Sequence, residues 1–311
     1  MSELTDLQGG LALVGAEPEV LGDRRVAHVV ANGHHLLSSR AIPGLTLEAR
    51  ETPDAIVGRL TVSPGMRIEM PIHLCFGIVH RSGVQRIEMT VRLEERAEAT
   101  VLAHCLFLQA EQVEHVMDAS VEIGEGATLR YMERHYHGPF GGITVLPKAV
   151  VRVGKRGRYF SDFALTTGRV GKLAIDYHVE AGEGAVAEMT ARVFGRGTDD
   201  IAIKEELVLA GENSRGLIKT RVALEHEATA QVTNITEARA KGARGHMDCM
   251  EIIKDRAVAS AVPIVKVSHS QAKVTHEAAI GSVDKKELET LMAHGLAPEQ
   301  AVELIVSGIL Q

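Results

Sequence analysis

The residue types best suited to chemistry gather late in the chain. Cys249 sits in Gly245-His246-Met247-Asp248-Cys249-Met250-Glu251, and after one proline, Pro263, a second polar cluster follows, Val274-Thr275-His276-Glu277-Ala278. Thiol, imidazole and carboxylate are the ligand types that hold iron and sulfide. MDCMEII has strand character, so Met247, Cys249 and Glu251 share one face while His246, Asp248 and Met250 take the other. Thiolate and carboxylate two residues apart on one face are a candidate pair of metal ligands. Taken alone, however, a free cysteine is more often a small buried hydrophobe. His276 and Glu277 are adjacent, so on a strand they face opposite ways and only one of them can point inward.

The rest of the inventory is quieter. Cys75 (IHLCFGI) and Cys105 (LAHCLFL) lie among apolar neighbours and read as core. With 15 histidines in the chain, pairs such as His34-His35 and His135 with His137 are background. No Cys-x-x-Cys pair is present, which argues against a structural zinc site within one chain. The phosphate loop and the Gly-x-Ser-x-Gly elbow are both missing. The glycine turns GRVGK and GRG lack dinucleotide-fingerprint spacing.

What positions these residues must be a large aliphatic core. The chain has 311 residues, 45% hydrophobic, with no Trp and 3% aromatics, so Val, Ile, Leu and Ala have to fill it. A net charge of −7 with no basic run argues against a general nucleic-acid binder. No window approaches the ~20 apolar residues of a membrane span. The N-terminus MSELTDLQGG lacks the basic start and apolar stretch of a signal peptide. Three scattered cysteines are not a disulfide framework. The expectation is a cytoplasmic protein with reduced thiols.

From residue 54 onward, strand-like runs alternate with short polar turns carrying a small residue, including Ala99, Ala127, Gly142, Gly157, Gly171, Ala185, Ser214, Ala228, Ala243, Ala257 and Ala272. Successive spacings are multiples of about 14 or 15 residues, the mark of a repeat architecture. Runs such as LAIDYHVEA and AVAEMTARVF alternate with period two. One strand cannot use a whole unit, which would be ~46 Å long, so each unit is a strand plus a turn and two units make one coil of a flattened β-helix. An antiparallel meander or sandwich also gives evenly spaced turns. The scarcity of Asn-Gly and Asp-Gly pairs disfavours tight hairpins, and small corner residues fit stacked coils better. Residues 1–53 are less regular. There AHVVANGHHLLSSRAIPG reads as a short helix or irregular segment capping the first open edge.

The chain turns helical at its end. Residues 1–53, 54–281 and 282–311 divide it into a cap, a β core and a helical tail. Asp284 with Glu287 three residues on has capping-box spacing. Gly295 reads as a helix stop, and Pro298 opens a second helix. Ala301, Leu304 and Ile305 lie on one side of it, widened by Val302, Val306 and Ile309. Helices this short need a surface to pack on, supplied by the last coil, a partner or both.

Taken in order, these pieces resemble the SufB/SufD family, the scaffold subunits of SUF iron–sulfur cluster assembly. The residues that carry the resemblance are Asp248-Cys249, Pro263, THEA at 275–278, Gly281, AHGL at 293–296 and AVELIVSGI at 301–309. Upstream, DAIVGRLTVSPGMRIEMPIHLCFGI at 54–78 resembles the family's entry into its core, so the match spans about residues 54–310. The resemblance implies an all-β core, a right-handed parallel β-helix followed by short C-terminal α-helices. It implies a non-catalytic scaffold working in pairs, here a homodimer, with a transient [4Fe–4S] or [2Fe–2S] cluster forming where the solenoid ends meet. It also implies docking of the terminal helices on a SufC-like ABC ATPase, for which Leu288, Leu291, Met292, Leu296, Val302 and Ile305 are the candidates. A sulfur donor and apo-protein acceptors would be further partners.

Residue by residue, Cys249 matches the family's essential core cysteine and Glu277 a nearby glutamate. His276 matches a position that is histidine in both subfamilies, and Val274 stands where SufD-type chains often carry cysteine. Glu251 joins the candidates from strand geometry. The long N-terminal helical region and N-terminal cysteine motif of many SufB proteins have no counterpart, so the expectation is a minimal form using free sulfide or a simpler donor. The competing readings are a structural adaptor of an ABC-type ATPase without its own metal site, and a β-helix carbohydrate-active enzyme. The latter would need a flank cluster of Asp, Lys and Arg that the sequence does not form.

Overall fold

In a computed structural model, residues 2–310 are described, the side chains of Glu299 and Glu303 apart. A helix α1 (Glu3–Gly10) and two 3-10 turns (Leu11–Val14, Pro18–Gly22) precede nineteen strands. The first nine are β1 (His28–Asn32), β2 (His35–Arg40), β3 (Leu45–Glu51), β4 (Ile56–Val62), β5 (Ile72–Gly77), β6 (Ser82–Leu93), β7 (Glu98–Phe107), β8 (Gln112–Ile123) and β9 (Thr128–His137). The rest are β10 (Ile143–Val153), β11 (Arg158–Leu165), β12 (Lys172–Ala181), β13 (Val186–Gly195), β14 (Asp200–Leu209), β15 (Arg215–Leu224), β16 (Thr229–Ala238), β17 (Arg244–Ile253), β18 (Val258–Val267) and β19 (Lys273–Gly281). Helices α2 (Lys285–Ala293) and α3 (Pro298–Ile309) follow.

From β4 on, consecutive strands fall in opposite sheets and each pairs in parallel with the next but one, so the chain winds as a solenoid of roughly eight coils. The sheet orders are β19-β17-β15-β13-β11-β9-β7-β5-β1-β2 and β18-β16-β14-β12-β10-β8-β6-β4-β3. Side chains one coil apart, such as Arg134 with Asp162 and Arg169 with Asp199, are 28 and 30 residues apart in sequence. That is twice the half-coil repeat legible in the sequence.

Alternation does the sorting. In β13, Ala187, Met189, Ala191 and Val193 face the lumen while the residues between them are half-exposed. The lumen is one continuous aliphatic cluster running from Ala27 to Ala257. The corners explain the small residues. Arg96, Gly126, Arg156, Gly184, Asn213 and Gly242 stack at one corner with φ between 54° and 71°, a left-handed conformation that favours Gly and tolerates Asn. The residue after each is small and tucks inward, as Ala97, Ala127, Ala185 and Ala243 do, all with no exposed surface. Five of these corners also donate to the next coil, for example Gly126 N to Lys155 O at 2.9 Å and Gly184 N to Glu212 O at 2.8 Å. These are solenoid corners, which is why Asn-Gly hairpin signals are scarce.

The N-terminal stretch read as a short helix or irregular cap is instead strands. β1 pairs in parallel with β5 and antiparallel with β2, and β3 folds back antiparallel on β4. Every residue of β1 is buried, so the alternation that would mark it as a strand is absent. Helix α1 and its 3-10 turns cover the outer face, with Leu7, Leu11 and Leu21 packed on Val30, Cys75 and Leu106.

The tail follows its sequence signals. The Asp284 side chain accepts from Glu287 N at 2.9 Å, Gly295 has φ 95°, and Pro298 begins α3. Its packing surface is the flank of the solenoid, where Ala223 of β15 and Phe194 of β13 meet Val306, Leu310 and Val302. Ala301 and Val306 are buried while Leu304 is 52% exposed, so the packed stripe is rotated from the one centred on Leu304.

Candidate functional site

Strand β17 presents Met247, Cys249 and Glu251 to the lumen and His246, Asp248 and Met250 outward, as the alternation predicts. Around Cys249 the lumen turns polar. Asn234 Nδ2 on β16 lies 2.9 Å from Cys249 Sγ and 2.8 Å from Thr220 Oγ1 on β15. The Thr220 hydroxyl donates to Glu205 Oε2 on β14 at 3.1 Å. Asn234 thus spends both amide hydrogens on acceptors, one of them the sulfur.

Burial raises both titratable groups on this face of β17. Burial pushes the Cys249 thiol up to about 11, against the Asn234 hydrogen bond. Burial pushes Glu251 up to about 7, with the Arg221 guanidinium pulling the other way. Glu251 has no exposed surface, and its two oxygens find no hydrogen-bonding side chain among the described residues. An unpartnered buried carboxyl costs free energy. A cation bound to Cys249 and Glu251 would compete with the proton on each and give the carboxyl a partner.

Strand β19 settles which members of the second cluster share that face. Its parallel register sets His276 beside Met247, Glu277 beside Asp248 and Ala278 beside Cys249. Side chains in register on parallel strands point the same way. Cys249, Glu251 and His276 therefore lie on the lumen face, whereas Glu277 lies on the outer face next to Asp248. Asp248 is paired there with Arg221 at 2.5 Å. Val274, beside Gly245, packs partly buried on the core.

The site lies at an open end. β18 and β19 are edge strands, and in β19 every residue except Val274 is exposed. Among the docking candidates, Leu288, Leu291, Leu296 and Ile305 are half-buried, Met292 is 41% exposed, and Val302 is occupied against the solenoid flank. No helix among the described residues is long and apolar enough to cross a membrane.

Sequence reasoning missed Asn234, Thr220 and Glu205. The half-coil period would have found them, because the links from Cys249 to Asn234, Asn234 to Thr220 and Thr220 to Glu205 span 15, 14 and 15 residues.

Residues 78–309 match the family described as SUF system FeS cluster assembly, SufBD core domain. An iron–sulfur cluster assembly SufBD family protein of Methanocaldococcus jannaschii is 35% identical over 308 residues, covering 99% of this chain and 98% of the relative. A second, from Pyrococcus horikoshii, is 29% identical over 296 residues, covering 95% of this chain and 90% of the relative. A carboxyl and a thiol on the lumen face near the open end of a β-solenoid, with a matching family domain along most of the sequence and a relative 35% identical over nearly all of it, lead to one conclusion: the chain belongs to the SufBD family of iron–sulfur cluster assembly proteins.

Proposed function

We propose that this chain is a non-catalytic scaffold on which iron and sulfide assemble into a transient cluster, at a junction formed by two copies meeting through β18 and β19. The observation that carries the reading is Glu251: fully buried, without a side-chain partner and two residues from Cys249 on the lumen face, it is a carboxyl kept for a cation. Cys249 supplies the soft ligand for iron and sulfide, and Glu251 and His276 supply harder, weaker ones that favour release. Glu277 takes part from the outer face, where a second copy pairing along β19 reaches it. One cysteine per chain at the open end is too few for a stable cluster, so the site belongs to the pair. A SufC-like ATPase docks on the tail, through Leu288, Leu291, Met292, Leu296 and Ile305, and its ATP-driven closure reshapes the junction.

The test is anaerobic reconstitution with ferrous iron and sulfide in the presence of the ATPase. Cys249→Ala should hold less than a tenth of the iron and sulfide of the unmodified protein; equal loading sinks the assignment and leaves the adaptor reading. Deleting residues 284–311 should abolish ATPase binding with the strand circular-dichroism signal intact, and retained binding would refute the role of the tail.

A further inference from the structure

A second group of chemically able side chains lies inside the solenoid, far from Cys249. Cys105 on β7, His115 on β8, and Glu133, His135 and His137 on β9 are all buried, none more than 4% exposed. The Cys105 sulfur, a Glu133 oxygen and a His135 ring nitrogen lie within 4.8 Å of one another. His115 Nε2 reaches across from the opposite sheet to 3.7 Å from the same sulfur. In sequence Cys105 sits among apolar residues and reads as plain core. The fold brings its polar company from the facing strand and from the next coil, where Cys105 pairs in register with His135.

The hydrogen bonds in this group single out one contact. His137 Nδ1 is 3.0 Å from the Arg169 carbonyl oxygen, which can only accept, so Nδ1 carries the hydrogen and Nε2 of the neutral ring is a lone pair. His135 Nδ1, 3.3 Å from that lone pair, must therefore donate. That leaves His135 Nε2 as a lone pair as well, facing Glu133 Oε1 at 2.7 Å. The Tyr177 hydroxyl donates to the other Glu133 oxygen at 3.3 Å. Two acceptors at 2.7 Å are joined by a proton, here on Glu133, which a cation would displace while parting the two atoms.

We propose that Cys105, Glu133 and His135, with His115 as fourth ligand, form a binding site for one divalent first-row transition metal ion such as zinc. The donor set of one sulfur, one oxygen and two imidazole nitrogens matches the ligands such ions take in tetrahedral sites. A thiolate and a carboxylate would cancel the charge of the dication, so the loaded site buries no net charge. The outer partners are in place: His137 orients the His135 ring and is itself fixed by the Arg169 carbonyl, while Tyr177 holds the second carboxylate oxygen. Because the ligands come from three successive strands and are enclosed by coils on either side, the ion is taken up as those coils close. Cys105 and Cys249 stand on strands five steps apart in one sheet, roughly 24 Å at the spacing of paired strands. The two sites are therefore independent, and this ion is a resident of the fold.

The test uses the full-length chain carrying Cys249→Ser, so that the open-end site contributes no thiolate. The protein is unfolded with a chelator present, refolded anaerobically with cobalt(II) or zinc(II), desalted and assayed for metal. About one equivalent should be retained, and the cobalt form should show thiolate-to-cobalt charge-transfer absorption with tetrahedral ligand-field bands. Adding Cys105→Ser should remove the charge-transfer absorption, Glu133→Gln should cut metal retention at least tenfold, and Cys75→Ser should change neither. A refolded parent that retains no metal overturns the proposal, leaving a proton on Glu133 to bridge the two acceptors. Charge-transfer absorption that survives Cys105→Ser overturns it too. If the Cys105→Ser chain does not refold, the parent spectrum decides, since it must show a sulfur ligand with only Cys75 and Cys105 left to supply one.

Discussion

The proposed pairing through the open end can be tested with two substitutions whose effect follows from the exposed surface there. Val258, Val262, Val265, Val267 and Ile280 on β18 and β19 are 60%, 39%, 39%, 47% and 46% exposed. Val265, Val267 and Ile280 face the lumen direction, in register with Thr236, Ala238 and Glu251, and stay open because no further coil covers them. Burying a Val or Ile side chain fully is worth about 1.5–3 kcal/mol. The half-exposed Val267 and Ile280 together therefore represent roughly one such side chain per chain, or about 3–6 kcal/mol in a symmetric pair. Replacing both with Lys removes that gain and puts an ammonium on each unpaired edge, the device by which natural sheets prevent edge pairing. Val267→Lys with Ile280→Lys should raise the dimer Kd by two to four decades, about 1.4 kcal/mol per decade. Sedimentation velocity across a micromolar concentration series reads this directly, with circular dichroism to show that the solenoid persists. A double variant that dimerises as tightly as the unmodified chain would refute pairing through this edge, as would an unmodified chain that stays monomeric throughout.

Two further outcomes test the lumen and the corners. Glu205 is pushed up to about 7 by burial, against the Thr220 hydrogen bond. A raised carboxyl pKa means the folded chain binds the proton more tightly, so stability is fully present below the unfolded value near 4.5 and falls as pH rises toward 7. The loss is about 3 kcal/mol, and Glu205→Gln should flatten it in urea denaturation at pH 5 and pH 8; parallel curves for the two proteins would contradict the buried-carboxyl account. Asp199 has a fully buried side chain and accepts from Arg169, Val170 N, Gly171 N and Arg196 N at 2.8–3.0 Å. Asp199→Ala strips that corner of its acceptors and strands Arg169, which should cost about 3–5 kcal/mol. A loss under about 1 kcal/mol would show the corner to be held by its backbone alone.

How far the sequence could be read depends on where each residue's partners lie. Alternation in runs such as Val186–Gly195 and Arg244–Ile253 is local, so the strands and the lumen face of Cys249 and Glu251 are legible from neighbours alone. The capping of α2 by Asp284 and the stop at Gly295 are local as well. β1 was not legible, because it is covered on both faces and loses the alternation that marks a strand. Cys105 misleads for the opposite reason: its apolar neighbours in sequence flank it along the strand, while His115 and His135 meet it only through coil geometry. Helix α3 offers apolar residues on more than one side, and the solenoid flank at Phe194 and Ala223 decides which are buried. Glu277 is legible as a candidate, but its face is fixed only by its register with Asp248.

The central claim is that Cys249 anchors a cluster shared between two chains. The most direct measurement is the iron and sulfide content per dimer after anaerobic reconstitution with the ATPase, made on the unmodified protein and on mixed dimers carrying Cys249→Ala in one chain. The account predicts one cluster per unmodified dimer and loss of that cluster when either cysteine is replaced. One cluster per chain, or a mixed dimer that keeps a full cluster, would contradict it.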